Sequence, residues 1–245
     1  MSKTSKAVLA VLAIVVLPIV AIVIFLGLRD DGPDELVIGD RADDTEDVAE
    51  DAAGDTGDGD VPEEAILALV DIEGAWTLTG DSVAGYRVVE DFVGGVADFE
   101  AVGRTSTIEG DLTIEGTTVS EAEFSVDVAS ITSDDSTRDN QFRGPILNAE
   151  EFPTSDFVLT SPIDLGDTPG DGEVITVEAT GELTLRDATV EVTFPLDASL
   201  VGDEVQVAGA IDVVFADFGI DNPSNPFVTV RDEGVVEFSL FFELA

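Results

Sequence analysis

"ATVEVTFPLDASL", residues 188–200, decides the fold. Val190, Val192, Phe194, Leu196 and Ala198 occupy every second position, and Thr189, Glu191, Thr193, Pro195, Asp197 and Ser199 stand between them. A period of two belongs to a β-strand, whose side chains alternate between two faces. The same alternation recurs on both sides. Ile175, Val177, Ala179, Leu183 and Leu185 form one face of "ITVEATGELTLR", and Val205, Val207, Ile211, Val213 and Phe215 one face of "EVQVAGAIDVVF". Val236, Phe238, Leu240, Phe242 and Leu244 line up in "VVEFSLFFEL", and Ile108, Leu112 and Ile114 in "STIEGDLTIEG". Turn residues such as those of "TPGDGE" punctuate these runs. So many amphipathic runs predict antiparallel strands with one dry and one wet face. Their length favours a closed barrel, which also removes exposed sheet edges. An eight-stranded barrel can be filled by its own side chains or can hold one ligand. The period leaves both readings open.

Composition narrows the chemistry. The chain has no histidine and no cysteine, which excludes His-based general bases, Cys nucleophiles, the usual zinc sites and disulfides. Its 53 acids against 10 bases give a net charge of −43, a surface that repels nucleic acid and anionic lipid head groups. Adjacent carboxylates such as Glu150 and Glu151 have the residue type of a glycosidase pair. Among 53 acids such neighbours arise by chance. No catalytic residue, metal site or cofactor is expected.

Three regions follow one another. Residues 1–29 read as a cytoplasmic stub and a membrane anchor. Ala7–Leu28 carries no charge over 22 residues, which as a helix would span about 33 Å, enough for a bilayer core. Lys3 and Lys6 precede it, so the positive-inside rule places the N-terminus in the cytoplasm and the bulk of the chain outside. A cleaved signal peptide is the competing reading, weakened by the length of the run and the lack of a small-x-small cleavage site. Residues 30–62 read as a disordered acidic linker, with fourteen acids and one base, Arg41. Residues 63–245 hold the strands.

One stretch breaks the alternation. "SDDSTRDNQFRG", residues 133–144, starts with N-cap chemistry and sets Asp134–Arg138 and Asp139–Arg143 at i, i+4 with the acid first. It predicts a short helical insertion ended by Gly144-Pro145, followed by a second helical piece in "PILNAEEF". The two arginines are accounted for locally as ion pairs.

"SITSDDSTRDNQFRGPILNAEEFPTSDFVLTSPIDL" resembles the signature stretch of the YceI-like family of exported bacterial proteins. In the same order, "GAWTLTGDSVAGYRVVE", "VGRTSTIEGDLTI", "GELTLRDATVEVTFPL" and "DFGIDNP" resemble further family segments, so the likeness covers roughly residues 72–245. It implies an extended lipocalin-like barrel with helices near its mouth. It also implies an apolar pore for an isoprenoid lipid, either a polyprenyl chain or an isoprenoid quinone, and no catalytic constellation. Where many members have a His in the Gly-x-Leu-Thr-Leu strand pair, this chain has Arg186-Asp187, so no role of that His transfers. The aromatic residues near the mouth and on the strand faces become the candidate ligand contacts: Tyr86, Phe124, Phe142, Phe152, Phe157, Phe194, Phe215 and Phe238. The expected partners are the isoprenoid lipid and, through the N-terminal helix, a membrane. The oligomeric state stays open, a homodimer included.

Overall fold

The computed structural model describes residues 33–42, 72–95, 97–166 and 169–245. The expected anchor, Ala7–Leu28, and most of the expected linker lie outside the described residues. Among the described residues no helix is long and apolar enough to cross a membrane.

The alternating runs are all strands. In chain order they are β1 (Gly74–Leu78), β2 (Val83–Phe92), β3 (Phe99–Thr105), β4 (Ile108–Glu115), β5 (Thr118–Asp127), β6 (Thr132–Ser133), β7 (Thr154–Ser161), β8 (Ile163–Asp164), β9 (Val174–Leu185), β10 (Ala188–Val201), β11 (Glu204–Val214), β12 (Val228–Val230) and β13 (Glu233–Leu244). One helix, α1 (Ser136–Gln141), lies between β6 and β7.

Two pairs of these elements are single bent strands. Successive stretches of β13 pair with β1 (Trp76↔Leu244) and with β2 (Phe238↔Ala84), and likewise β3 and β4 follow one another down the neighbouring wall. The wall therefore has eight strands, β1/β2, β3/β4, β5, β7, β9, β10, β11 and β13, each antiparallel to the next, and the pairing of β13 with β1 and β2 closes the barrel. At the β1/β2 bend the ladder would lose a partner for Phe241. Fully buried Ser82 supplies it, its Oγ accepting from the Phe241 amide at 2.9 Å. The predicted faces hold. Ile175, Val177, Ala179 and Leu183 of β9, Phe194 and Leu196 of β10, and Val205, Val207 and Ile211 of β11 all point into the barrel.

The lower end is sealed by Trp76, Leu112, Ile114, Leu200 and Phe242, and the Trp76 Nε1 donates to the Ile72 carbonyl at 3.0 Å. The upper end carries the insertion. Asp135 caps α1 by accepting from the Thr137 amide at 2.7 Å, a bond that holds its carboxyl below the usual range. Both expected ion pairs form, Asp134–Arg138 and Asp139–Arg143 (3.4 Å). Arg138 also reaches Glu90 of β2 at 3.6 Å, which ties the insertion to the wall. The chain differs from expectation after Gln141. Gly144-Pro145 does not end the helix but sits inside a wide turn, Phe142–Ile146, closed by the Leu147 amide on the Phe142 carbonyl at 2.9 Å. That turn is π-helical, so of the expected second helical piece only Pro145 and Ile146 are helical, and as a direct continuation of α1. Asn148 takes a left-handed φ of 50°, and residues 147–151 form turns.

A second difference lies outside the barrel. Pro33–Ala42 was expected to be solvated linker, yet it straps the outer wall. Leu36 is 6% exposed. The Pro33 and Asp34 carbonyls accept from Arg87 and Arg104, and Arg41 pairs with Asp81 and Glu204 and lies 4.2 Å over the Phe241 ring. Beneath the strap, Glu237 is held by the Arg87 Nε at 3.2 Å and the Arg104 Nη2 at 2.7 Å. Polar groups that would orphan each other in a bare wall are paired here, which makes the local packing possible.

Candidate functional site

Among the described residues, apolar cavities of about 140 and 130 Å³ lie within the barrel. A water needs only about 10–15 Å³ on this measure. Ala84, Val126, Ser155 and Val236 line both, so the cavities stack end to end along the axis. The barrel is therefore not a filled core. Consistent with that, the inward side chains of Val177, Val192, Val207, Val236 and Phe238 are only half-buried.

The lower cavity is walled by a ladder of rings. Phe242 lies 5.7 Å from Phe124, Phe124 6.3 Å from Phe157, Phe157 5.6 Å from Phe194, and Phe194 6.0 Å from Phe238. These are ordinary edge and offset ring contacts. Each of several rings is seated over a glycine of the adjacent strand. A methyl placed on Gly110 would stand 2.6 Å from Phe124, on Gly181 2.4 Å from Phe157, and on Gly209 2.8 Å from Phe238. With no side chain beneath them, the rings lie back against the wall instead of crossing the lumen.

The upper cavity lies under the insertion. Tyr86 of β2 lies over Gly103 of β3 in the same way, a Cβ there falling 2.4 Å from the ring. Phe142 stacks on Tyr86 at 4.4 Å with 21° between the planes. Ile146, Leu147, Phe215 and Ile220 complete the apolar lining, and Glu90 and Arg138 are its charged members. The Tyr86 hydroxyl is buried beside the Ser133 side chain, but the two do not reach full hydrogen-bond geometry. Burial pushes this phenol up to about 12, with Arg138 opposing, Asp139 and Glu90 adding to the shift, and Ser133 lowering it slightly.

Seven of the eight candidate residues line these cavities: Phe124, Phe157, Phe194 and Phe238 the lower, Tyr86, Phe142 and Phe215 the upper. Phe152 lines neither. Its ring lies 5.9 Å from the Arg186 guanidinium, at the turn between β9 and β10. An aromatic between turns carries no face information, so its sequence context could not place it. The aliphatic lining includes Leu112, Leu183, Ile211 and Leu240, which the period-two faces already hold, and Leu159 of β7, which they do not. Among the described residues no group of three His, Cys, Asp or Glu could hold a metal. The arrangement offers shape, apolar area and one buried phenol beside Ser133.

An eight-stranded antiparallel barrel with an apolar lumen and one short helix over its upper end belongs to the class of barrels able to hold a single ligand. The model of the YceI-like domain matches residues 86–242, and the chain belongs to this family. Among solved structures, the chain is similar to a polyisoprenoid binding domain from Saccharophagus degradans, implicated in plant cell wall breakdown. The TM-score is 0.58 and the identity 16%, over 69% of this chain and 98% of that one. It is also similar to Burkholderia cenocepacia BcnA, with a TM-score of 0.50 and 20% identity, over 64% of this chain and 95% of that one. No curated protein matches the chain. At these identities the likeness carries the fold.

Proposed function

We propose that this protein is a membrane-tethered, extracytoplasmic binding protein that holds an isoprenoid lipid in the barrel, either a polyprenyl chain or an isoprenoid quinone. The observation that carries the reading is the pair of end-to-end apolar cavities. A polyprenyl tail has no hydrogen-bonding groups and asks of its site only shape and apolar contact. Each Å² taken from water contributes about 25 cal/mol, less the cost of ordering the tail. The ring ladder from Phe124 to Phe238 would line the tail. Tyr86, Phe142 and Phe215 would surround the end nearer the cap, where the Tyr86 hydroxyl can donate to a head-group oxygen. Membership of the YceI-like family, and the polyisoprenoid bound by the Saccharophagus degradans domain, support this ligand class. The uncharged run Ala7–Leu28 behind Lys3 and Lys6 supports the tether and its orientation. Binding, not catalysis, is the activity.

The test is to purify the full chain, extract it with organic solvent and identify the lipid by mass spectrometry. A stoichiometric isoprenoid is expected. A lipid-free protein that also refuses added polyprenyl lipid would mean a structural module of the envelope instead.

A further inference from the structure

The strap and the upper rim together say which end of the barrel meets the bilayer. We propose that the capped upper rim, led by Val93 and Phe227, is a bilayer-contact surface, and that the strap holds it there. This inference rests on the reading that Ala7–Leu28 is anchored in a membrane.

The first observation is where the strap begins. The Pro33 carbonyl accepts from the Arg87 Nη2 at 2.7 Å, on the outer face of β2. From there the strap runs downward to Arg41, which is fixed at Asp81 and Glu204 near the lower turns. Pro33 is five residues from Leu28, the last residue of the uncharged run. Five residues reach at most about 17 Å. Phe92, at the top of β2, is five residues above Arg87, also about 17 Å along the strand. Downward the distance is longer. Val235 lies opposite Arg87, and Leu244 at the lower end is nine residues further on, about 30 Å. A membrane that holds Leu28 is thus within reach of the upper rim and out of reach of the lower one.

The second observation is the rim itself. Phe227 and Val93 are 76% and 73% exposed, the two most exposed large apolar side chains among the described residues. They sit side by side just beyond the paired ends of β12 and β2, where Val228 faces Phe92, and the Val93 amide donates to the Phe227 carbonyl at 3.0 Å. Four of the seven described arginines, Arg138, Arg143, Arg186 and Arg231, also lie at this end. Arg138, Arg143 and Arg231 are each paired with a carboxylate of this end, and Asp91, Asp187, Asp217, Asp221 and Asp232 keep it acidic, which opposes adsorption to anionic lipid. An apolar tip on an acidic rim suits a zwitterionic surface and not an anionic one. The same rim carries the insertion over the upper cavity, so a lipid could pass between bilayer and barrel without crossing water.

The chain has no cysteine, so single cysteines label cleanly. The full chain would be reconstituted into phosphatidylcholine vesicles with an environment-sensitive fluorophore on Val93→Cys, Phe227→Cys or, at the opposite end, Asp203→Cys. Lipids with a nitroxide near the head group serve as quenchers. The expected result is several-fold stronger quenching at 93 and 227 than at 203, and loss of that contrast when Leu36→Asp frees the strap. Vesicle flotation separates the failures. A chain that does not float sinks the anchor reading and this inference with it. A chain that floats with equal quenching at both ends, or stronger quenching at 203, overturns this inference alone. A contrast that survives Leu36→Asp removes the strap from it.

Discussion

In the upper half of β13 the two faces are buried the wrong way round, although inward-facing Leu240 and Phe242 below are buried. Outward-facing Glu237 and Ser239 are 2% and 1% exposed, whereas inward-facing Val236 and Phe238 are only half-buried. In an ordinary sandwich or filled barrel the apolar face is the dry one. Here the outer face is closed by Pro33–Ala42 and by ion pairs, while the inner face borders a cavity. Alternation tells which residues share a face; it does not tell which face is packed. Along this wall the close polar packing lies outside, and the open apolar space inside.

The sharpest test of that contrast compares two phenylalanines of the same strand. Phe241, outward and fully buried beneath Arg41, should cost about 3–5 kcal/mol when changed to alanine. Phe238→Ala should cost about 1–2 kcal/mol, because the space it would vacate adjoins an existing cavity. Urea unfolding of both variants measures the difference, and equal losses would break the comparison.

Tyr86 gives the next largest effect. Its phenol is raised above its unfolded value, so between about pH 10 and 12 the unfolded chain releases a proton that the folded chain retains. Stability should be unaffected by this group below pH 10. It should then fall with rising pH by about 1.4 kcal/mol per unit, up to about 2.7 kcal/mol. Tyr86 is the sole tyrosine, so phenolate absorbance reads its titration without overlap, and a midpoint near 10 would show an open, wet upper cavity.

A smaller effect belongs to the lumen alone. Gly209→Val pushes Phe238 off its seat and into the lower cavity. Lipid retention should drop about tenfold, equivalent to about 1.4 kcal/mol, with circular dichroism unchanged. Retention at the native level would place the ligand elsewhere. The smallest change is on the surface of the cap. Asp134→Ala removes one exposed helical ion pair and should cost only about 0.3–0.5 kcal/mol in thermal unfolding.

Much of the fold was legible because its strands are long and keep one period. The inward faces of β9, β10 and β11 follow directly from residues 175 to 213. The candidate site was legible where it lies on strands with a clear period, as Phe194 on β10 and Phe238 on β13 do, whereas Phe157 lies on β7, where no alternation was read. Phe152 lies between turns and had no period to place it. The strap was missed for a different reason. Its apolar content is confined to Leu36, Val37 and Ile38 within an acidic run, too little to bury alone and enough when a partner wall is waiting. Its signal was Arg41, a lone base among fourteen acids, whose ion pairs with Asp81 and Glu204 are remote in sequence.

The glycine seats have an evolutionary side. Gly103, Gly110, Gly181 and Gly209 present no side chain to the lumen, yet each sets how far an aromatic ring on the neighbouring strand can lean back. The bore of the barrel is thus encoded at positions that a ligand would never touch. A lineage could narrow it through alanine or serine at Gly103 or Gly209, where an added Cβ meets only side chains, and so select shorter or thinner tails, whereas at Gly110 and Gly181 a neighbouring carbonyl oxygen blocks the change.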